Sequence, residues 1–239
     1  MNEKTVRRGF VETDKKEFST ENFPVLKKAL EEIYWLLNRG YPISVATAFV
    51  GNHYLLSGRQ RIALSRAVSS NADILRRKQK EIFSCEKQTL HIDAFNIIIM
   101  LEVALSGSTL IKCMDGTIRD LAGLRGTYRL IDKTDSAITL IGKKLETMNI
   151  TEAIFYLDAP VSNSGNLKAR ILELLGSFNY NVTVELQNKV DALLKNKSCV
   201  VSSDAIILNE CISWINLAPA IISESIPYAL YIDFSNLSV

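Results

Sequence analysis

TLHIDAFN, residues 89–96, decides how most of this 239-residue chain reads. A short strand rich in apolar residues passes directly into a helix from Ile97 to Leu105, which stops at Ser106-Gly107. The same alternation recurs downstream. STLIKCM (108–114), AIFYLD (153–158), VTVEL (182–186), SCVVSSD (198–204) and ALYIDF (229–234) read as strands. Between them, helices are expected near Thr117–Tyr128 and Asp135–Met148, in NLKARILELLGSF (166–178), in VDALLKN (190–196) and in AIILNECISWINLA (205–218). Strands separated by helices in this order predict an α/β fold, a Rossmann-like parallel sheet with helices on both faces. Ligands of such sheets gather outside the carboxyl ends of the strands.

Upstream, residues 1–88 read as a small all-helical module. Leu26, Leu30, Ile33, Tyr34 and Leu37 recur at helical spacing between Val25 and Asn38, and Arg39-Gly40 closes that helix. Ile43–Val50 and Arg59–Val68 read as two more helices with a tight turn between them, an outline like helix-turn-helix. Residues 71–88 form a basic helix or linker carrying Arg76, Arg77 and Lys78. The division at 88/89 is also one of charge. Residues 1–88 hold 16 Lys+Arg and 10 Asp+Glu, net +6, whereas residues 89–239 hold 12 and 16, net −4. A basic front half suits a polyanion, with Arg59, Arg61, Arg66, Arg76, Arg77 and Lys78 following a nucleic-acid backbone. A solvated helix face accounts for the same run of charge.

Several classes are set aside. The charged N-terminus lacks the apolar core of a secretory signal, and Ile97–Leu101 and Trp214–Ile222 are too short or interrupted to span a bilayer. No membrane role and a cytoplasmic location are expected. Cys85, Cys113, Cys199 and Cys211 show no C-x-x-C spacing and read as buried thiols rather than zinc ligands or disulfides. No phosphate-loop, dinucleotide or nucleophile-elbow motif appears, so no organic cofactor is expected.

Three strand candidates end in aspartate: Asp93, Asp158 and Asp204. If those strands are parallel neighbours, the carboxylates converge on one edge and repel one another until a cation compensates them. Oxygen-only ligation is what Mg²⁺ and Mn²⁺ prefer, and metal-assisted phosphodiester hydrolysis is the chemistry that follows. The plainer reading makes Asp93 and Asp204 helix N-caps and Asp158 a turn residue. Glu102, nine residues after Asp93, either completes the site or pairs with Arg125 or Arg129 inside the fold.

Phosphate contacts are expected next to these acids. Ser162, Asn163 and Ser164 with Gly165 precede a helix, and Lys168 lies one turn into it. Backbone N–H groups at such a helix start suit phosphate oxygens, although a plain capping loop looks the same. Asn96 serves either a metal-bound water and phosphate or the helix start. Arg125 and Arg129 contact the substrate backbone or pair with Asp115, Asp120 or Asp132.

Taken together, RRGF, RGY, GNHYLLSGRQR-x-AL, HIDAFN, DAPVSNSG and SSDAIIL resemble a family of archaeal and bacterial proteins known as a domain of unknown function, over nearly the whole chain. The strand end IDAFN is also similar to the start of PIN-like (NYN-type) nucleases. That resemblance implies a PIN-like domain over 89–239, with Asp93, Asp158 and Asp204 as ligands of Mg²⁺ or Mn²⁺. Ala94 stands where those nucleases carry glycine, and the APVSNSG loop is unusual for them. The activity implied is an endonuclease acting on nucleic acid, RNA more than DNA. The alternatives are a non-catalytic nucleic-acid-binding or scaffold protein on the same fold, and an enzyme acting on a small phosphorylated metabolite.

Overall fold

The structure is a computed structural model that describes residues 6–124 and 126–236. Its N-terminal part holds α1 (Asp14–Glu17), α2 (Phe23–Leu37), α3 (Ile43–His53), α4 (Gly58–Ala67) and α5 (Asn71–Lys80). Local chemistry starts several of these helices. Ser57 and Gln60 form a reciprocal capping box on α4, and the Ser70 hydroxyl accepts the Asp73 N–H to cap α5. The chain continues through β1 (Thr89–Asp93), α6 (Ala94–Leu105), β2 (Thr109–Lys112), β3 (Ile118–Asp120), α7 (Thr134–Thr147), β4 (Glu152–Asp158), α8 (Ser164–Leu175) and β5 (Asn181–Gln187). It ends with α9 (Val190–Leu194), β6 (Val200–Val201), α10 (Ala205–Glu210), α11 (Leu217–Ser225) and β7 (Leu230–Asp233).

Strands β5-β4-β1-β6 form an all-parallel sheet in that order, flanked by helices. The chain steps outward from β1 to β4 and β5, then returns to the other side of β1 for β6. The order therefore reverses between β1 and β6, where an open parallel sheet leaves a crevice at its carboxyl edge. Alternation along the strands divides the two faces. Leu90, Ile92, Ala153, Phe155 and Leu157 enter the large core with α6, α7, α8 and α11. Ile154, Tyr156 and Val200 face the other way, toward α9, α10 and Trp214. By the same period of two, Asp93, Asp158 and Ser202 continue on the α9–α10 face.

Four sequence expectations need correction. First, STLIKCM and ALYIDF are strands but leave the main sheet: β2 pairs with β7 in parallel and with β3 antiparallel in a separate small sheet. Second, residues near 117–128 are not helical. Asp115 accepts the N–H and hydroxyl of Thr117 and Gly116 adopts φ +79°, which closes a β2–β3 hairpin in place of a helix. Third, AIILNECISWINLA is broken. Backbone at Cys211 turns extended, and Trp214 bridges to Glu81 and Val200 while its indole N–H donates to the Arg77 carbonyl at 2.8 Å. Burying this large ring outweighs helix continuity through the segment. Fourth, Cys85 and Cys199 form a disulfide across 114 residues, whereas Cys113 and Cys211 are buried thiols as expected.

The helical part does not close its core on itself. Leu26, Leu30, Ile33, Val50 and Leu64 pack with Ile111 and Cys113 of the small sheet's β2 region and with Ile232 and Phe234 near the C-terminus. The N-terminal arm also crosses over to the α/β part, where Arg8 forms a fully buried ion pair with Glu102 of α6. Among the described residues, no helix is long and apolar enough to cross a membrane.

Candidate functional site

Asp93 is the last residue of β1 and the N-cap of α6, so one side chain serves strand end and helix start together. Its Oδ2 accepts a 2.8 Å hydrogen bond from the Ser202 hydroxyl just beyond β6, and its Oδ1 accepts the Asn96 N–H at 3.4 Å. Burial pushes its pKa up to about 7; the Ser202 bond opposes that rise, and the negative charges of Asp204 and Asp191 add to it. Asp204 caps α10, its Oδ1 accepting the N–H groups of Ile206 at 2.8 Å and Ile207 at 3.2 Å. Asp158, at the end of β4, has its pKa raised by burial, against a long bond from the Val190 N–H.

A fourth carboxylate joins them. Asp191 lies in the first turn of α9, and its pKa is raised by burial and then by Asp204 and Asp158. Asp191 is therefore the electrostatic link between Asp158 and the Asp93–Asp204 pair. Sequence pattern alone does not single it out, because an acid in a first helical turn complements the helix dipole wherever it occurs. Its position after β5, beside the end of the neighbouring β4, was the available signal.

These acids share one edge but do not make the three-aspartate cage expected from sequence. Among the described residues, no three His, Cys, Asp or Glu side chains are arranged to hold a metal ion. Capping bonds account for this: one oxygen each of Asp93, Asp158 and Asp204 is turned to backbone N–H groups. The donor set is nonetheless all oxygen, and Asp204 Oδ2 has no hydrogen-bond partner among the described residues. Mg²⁺ is commonly held by one or two carboxylates with water and substrate oxygens completing the shell, and this set fits that mode.

On the far side of Asp204 a cavity of about 280 Å³ opens between α4, β3 and the starts of α6 and α10. Arg66, Asn96, Arg119, Asp120, Ser203 and Asp204 line it. Asn96 Oδ1 accepts both the Ser203 N–H (2.9 Å) and its hydroxyl (3.0 Å). An N–H donor must face oxygen, so the Asn96 NH₂ is the group left for the cavity. Arg66 holds the Asp120 carbonyl through one nitrogen and lies 3.5 Å from the Asp120 carboxylate, with its side chain 35% exposed. Arg119 is buried and committed to the Ser203 carbonyl and to Asp115, so it shapes the wall and cannot turn toward a ligand.

Other expected site residues have structural duties. Glu102 is 0% exposed and spends its oxygens on Arg8, Tyr128 and Thr134, so it is a core anchor and not a metal ligand. Among the described residues its ion-pair partner is Arg8, not Arg129. Arg59 is tied to Asp14 and to the Gly9 and Leu121 carbonyls, and Arg61 to Asn52 and the Leu56 and Gly51 carbonyls. Arg77 is buried against Asp115, Asn209 and Ser69. None of these three is free to follow a phosphate backbone, whereas Arg76 and Lys78 are exposed.

Ser162 and Asn163 both bond the Tyr128 backbone, and the Ser164 hydroxyl turns to the Ala159 carbonyl. They fasten the 126–129 loop to the end of β4 and do not present hydroxyls outward. Lys168 is half-buried on α8 and Arg129 is exposed. Arg125 lies outside the described residues.

Residues 82–220, more than half of the chain and the segment that carries all four aspartates, match the family described as Domain of unknown function (DUF5616). The chain belongs to that family. In this DUF5616 chain a second match, to the family described as Protein of unknown function (DUF434), covers residues 25–80 and ends where α5 ends. The "Uncharacterized protein MJ0935" of Methanocaldococcus jannaschii is 36% identical over 205 residues, covering 85% of this chain and 97% of that relative. No solved structure matches the DUF5616 chain.

Proposed function

We propose that the protein is a PIN-like, metal-dependent endonuclease that hydrolyses phosphodiester bonds, with RNA as substrate. What supports the reading is a single arrangement: four aspartates at the carboxyl edge of a parallel sheet, where Asp204 raises the pKa of both Asp93 and Asp191, beside a small cavity carrying the Asn96 NH₂ and Arg66. An Mg²⁺ or Mn²⁺ ion would be held at Asp204, whose Oδ2 has no hydrogen-bond partner among the described residues, with Asp93 and Asp191 reached through its waters and Asp158 adding negative charge beside Asp191. Such an ion, when bound, supplies Lewis acidity and lowers the pKa of water next to the phosphate. Arg66 and Asn96 hold a non-bridging phosphate oxygen next to Asp204. Burial holds the Asp93 pKa up at about 7, and a cation bound beside it would favour loss of that proton.

A second reading, a non-catalytic nucleic-acid-binding protein on the same fold, is favoured by the absence of a preformed three-carboxylate cage among the described residues. The third, a metabolite enzyme, has little support: the cavity beside the acids is about 280 Å³, at the low end for small-molecule sites. The deciding experiment incubates the full chain with end-labelled single-stranded RNA and Mn²⁺. Cleavage that stops with EDTA, and with Asp204→Asn or Asp93→Asn, supports the nuclease. RNA binding that persists with EDTA and never yields products transfers the protein to the second reading. Neither binding nor cleavage removes both.

A further inference from the structure

Away from the acidic edge, α2, α3 and the turn between them expose an apolar face that no other described residue covers. Trp35 is 53% exposed, Tyr41 51%, Val45 53% and Phe49 70%, all within 15 residues. A groove of about 940 Å³ runs along Trp35, Phe49 and Tyr54, with Lys28, Glu31, Glu32 and Arg39 on its walls. Its walls are held in place. The Tyr54 hydroxyl donates to Glu32 at 2.6 Å, and the Arg39 guanidinium stacks 3.4 Å over the Trp35 ring. Clustered exposed aromatics of this kind mark interaction surfaces, because large rigid rings bury much area at little entropic cost.

The charges select the partner. Lys28 and Arg39 oppose Glu31 and Glu32, so the groove has no net charge and offers a polyanion no net attraction. A surface that carries both signs along α2 and the turn after it, with Glu31 and Arg39 four positions either side of Trp35, suits a copy of itself. In a two-fold contact the same patch meets itself, residue i against j and j against i. Placing two α2 helices antiparallel and crossing at Trp35 sets position 31 of one copy opposite position 39 of the other, twice by symmetry. Two Glu31–Arg39 pairs then flank a centre of two Trp35 rings, with Phe49 closing each end. We infer that the α2–α3 face is a homodimer interface built on Trp35 and Phe49 and registered by Glu31 and Arg39.

This inference does not depend on nuclease activity, and neither does its test. Sedimentation equilibrium and light scattering on the full chain at about 100 µM, well above a micromolar Kd, are expected to report twice the chain mass. Trp35→Glu or Phe49→Glu is expected to give monomer with an unchanged circular dichroism spectrum, since both side chains are more than half exposed in the single chain and lie outside its core. Glu31→Arg and Arg39→Glu are each expected to weaken association about tenfold, and the double exchange to restore it. Trp35 fluorescence shifts to longer wavelength on dilution, while Trp214, 0% exposed, stays constant. A monomer at the highest concentration overturns the inference. So does a dimer that is indifferent to Trp35→Glu and Phe49→Glu, or a charge exchange that fails to rescue. Ultraviolet crosslinking of RNA to Trp35 in a monomeric chain also overturns it, in favour of nucleic acid on this face.

Discussion

Ser202 donates a 2.8 Å hydrogen bond to Asp93, and the same hydroxyl oxygen accepts the backbone N–H of Asp204 at 3.1 Å. One serine thus ties the ends of β1 and β6 across the point where the strand order reverses. It holds two acidic residues close in a place where their charges alone would separate them.

Asp93 carries a pH signature. Its pKa in the fold is about 7 against an ordinary 3.8, so between these values the folded state binds more protons than the unfolded one. Stability therefore falls as pH rises through that window, with a slope of at most about 1.4 kcal/mol per pH unit. Thermal melts without metal from pH 4 to 8 should show this decline. Asp93→Asn, which still caps α6 and still accepts from Ser202, should flatten it and melt higher at pH 8. An unchanged slope in that variant would refute the assignment.

Mn²⁺ affinity should rise across the same window, because the ion must displace the Asp93 proton. Titration calorimetry at pH 6 and 8 measures this. Asp191→Asn should weaken the binding about as much as Asp204→Asn does. If Asp191→Asn binds Mn²⁺ normally, Asp191 is a bystander.

Glu102 and Arg8 test the separation of core from site. Arg8→Ala strands a fully buried carboxylate and should cost about 3–5 kcal/mol in denaturant unfolding. At a temperature where both proteins are folded, Mn²⁺ binding should not change. Loss of metal affinity without loss of stability would return Glu102 to the site.

The basic residues of α5 should divide by burial. Arg77→Ala breaks the contacts to Asp115, Asn209 and Ser69 and should destabilise the fold by about 3 kcal/mol. Arg76→Ala and Lys78→Ala should leave melting unchanged within about 0.5 kcal/mol. Together those two should reduce the salt dependence of RNA binding by about two charges. Equal effects from all three residues would contradict the structure.

The disulfide predicts that protein denatured without reductant yields two alkylatable thiols, Cys113 and Cys211. Cys85→Ser combined with Cys199→Ser should lower stability by about 2–5 kcal/mol, because the bond restrains a 114-residue separation in the unfolded chain. Four reactive thiols in the purified protein would exclude the bond.

Much of the architecture was legible locally. Strand–helix alternation and aspartates at strand ends depend on residues within a few positions of one another, so Asp93, Asp158 and Asp204 could be aligned on one edge from sequence. Whether a charged side chain is free is a different matter. Arg8 meets Glu102 across 94 residues and Arg77 meets Asn209 across 132, and no local pattern announces either. Hence the basic front half looked like one phosphate-binding surface, although Arg59, Arg61 and Arg77 are internal fasteners.

The sequence by itself determined the parallel α/β layout and the strand-end acids, since periodicity and strand ends are local properties of the chain. Tertiary structure alone decided that β2 and β7 leave the main sheet, that Asp191 joins the acids and Glu102 does not, and that Cys85 reaches Cys199. The reason is physical: strand pairing, burial and charge compensation are set by what a residue meets in space, and those neighbours come from distant parts of the chain.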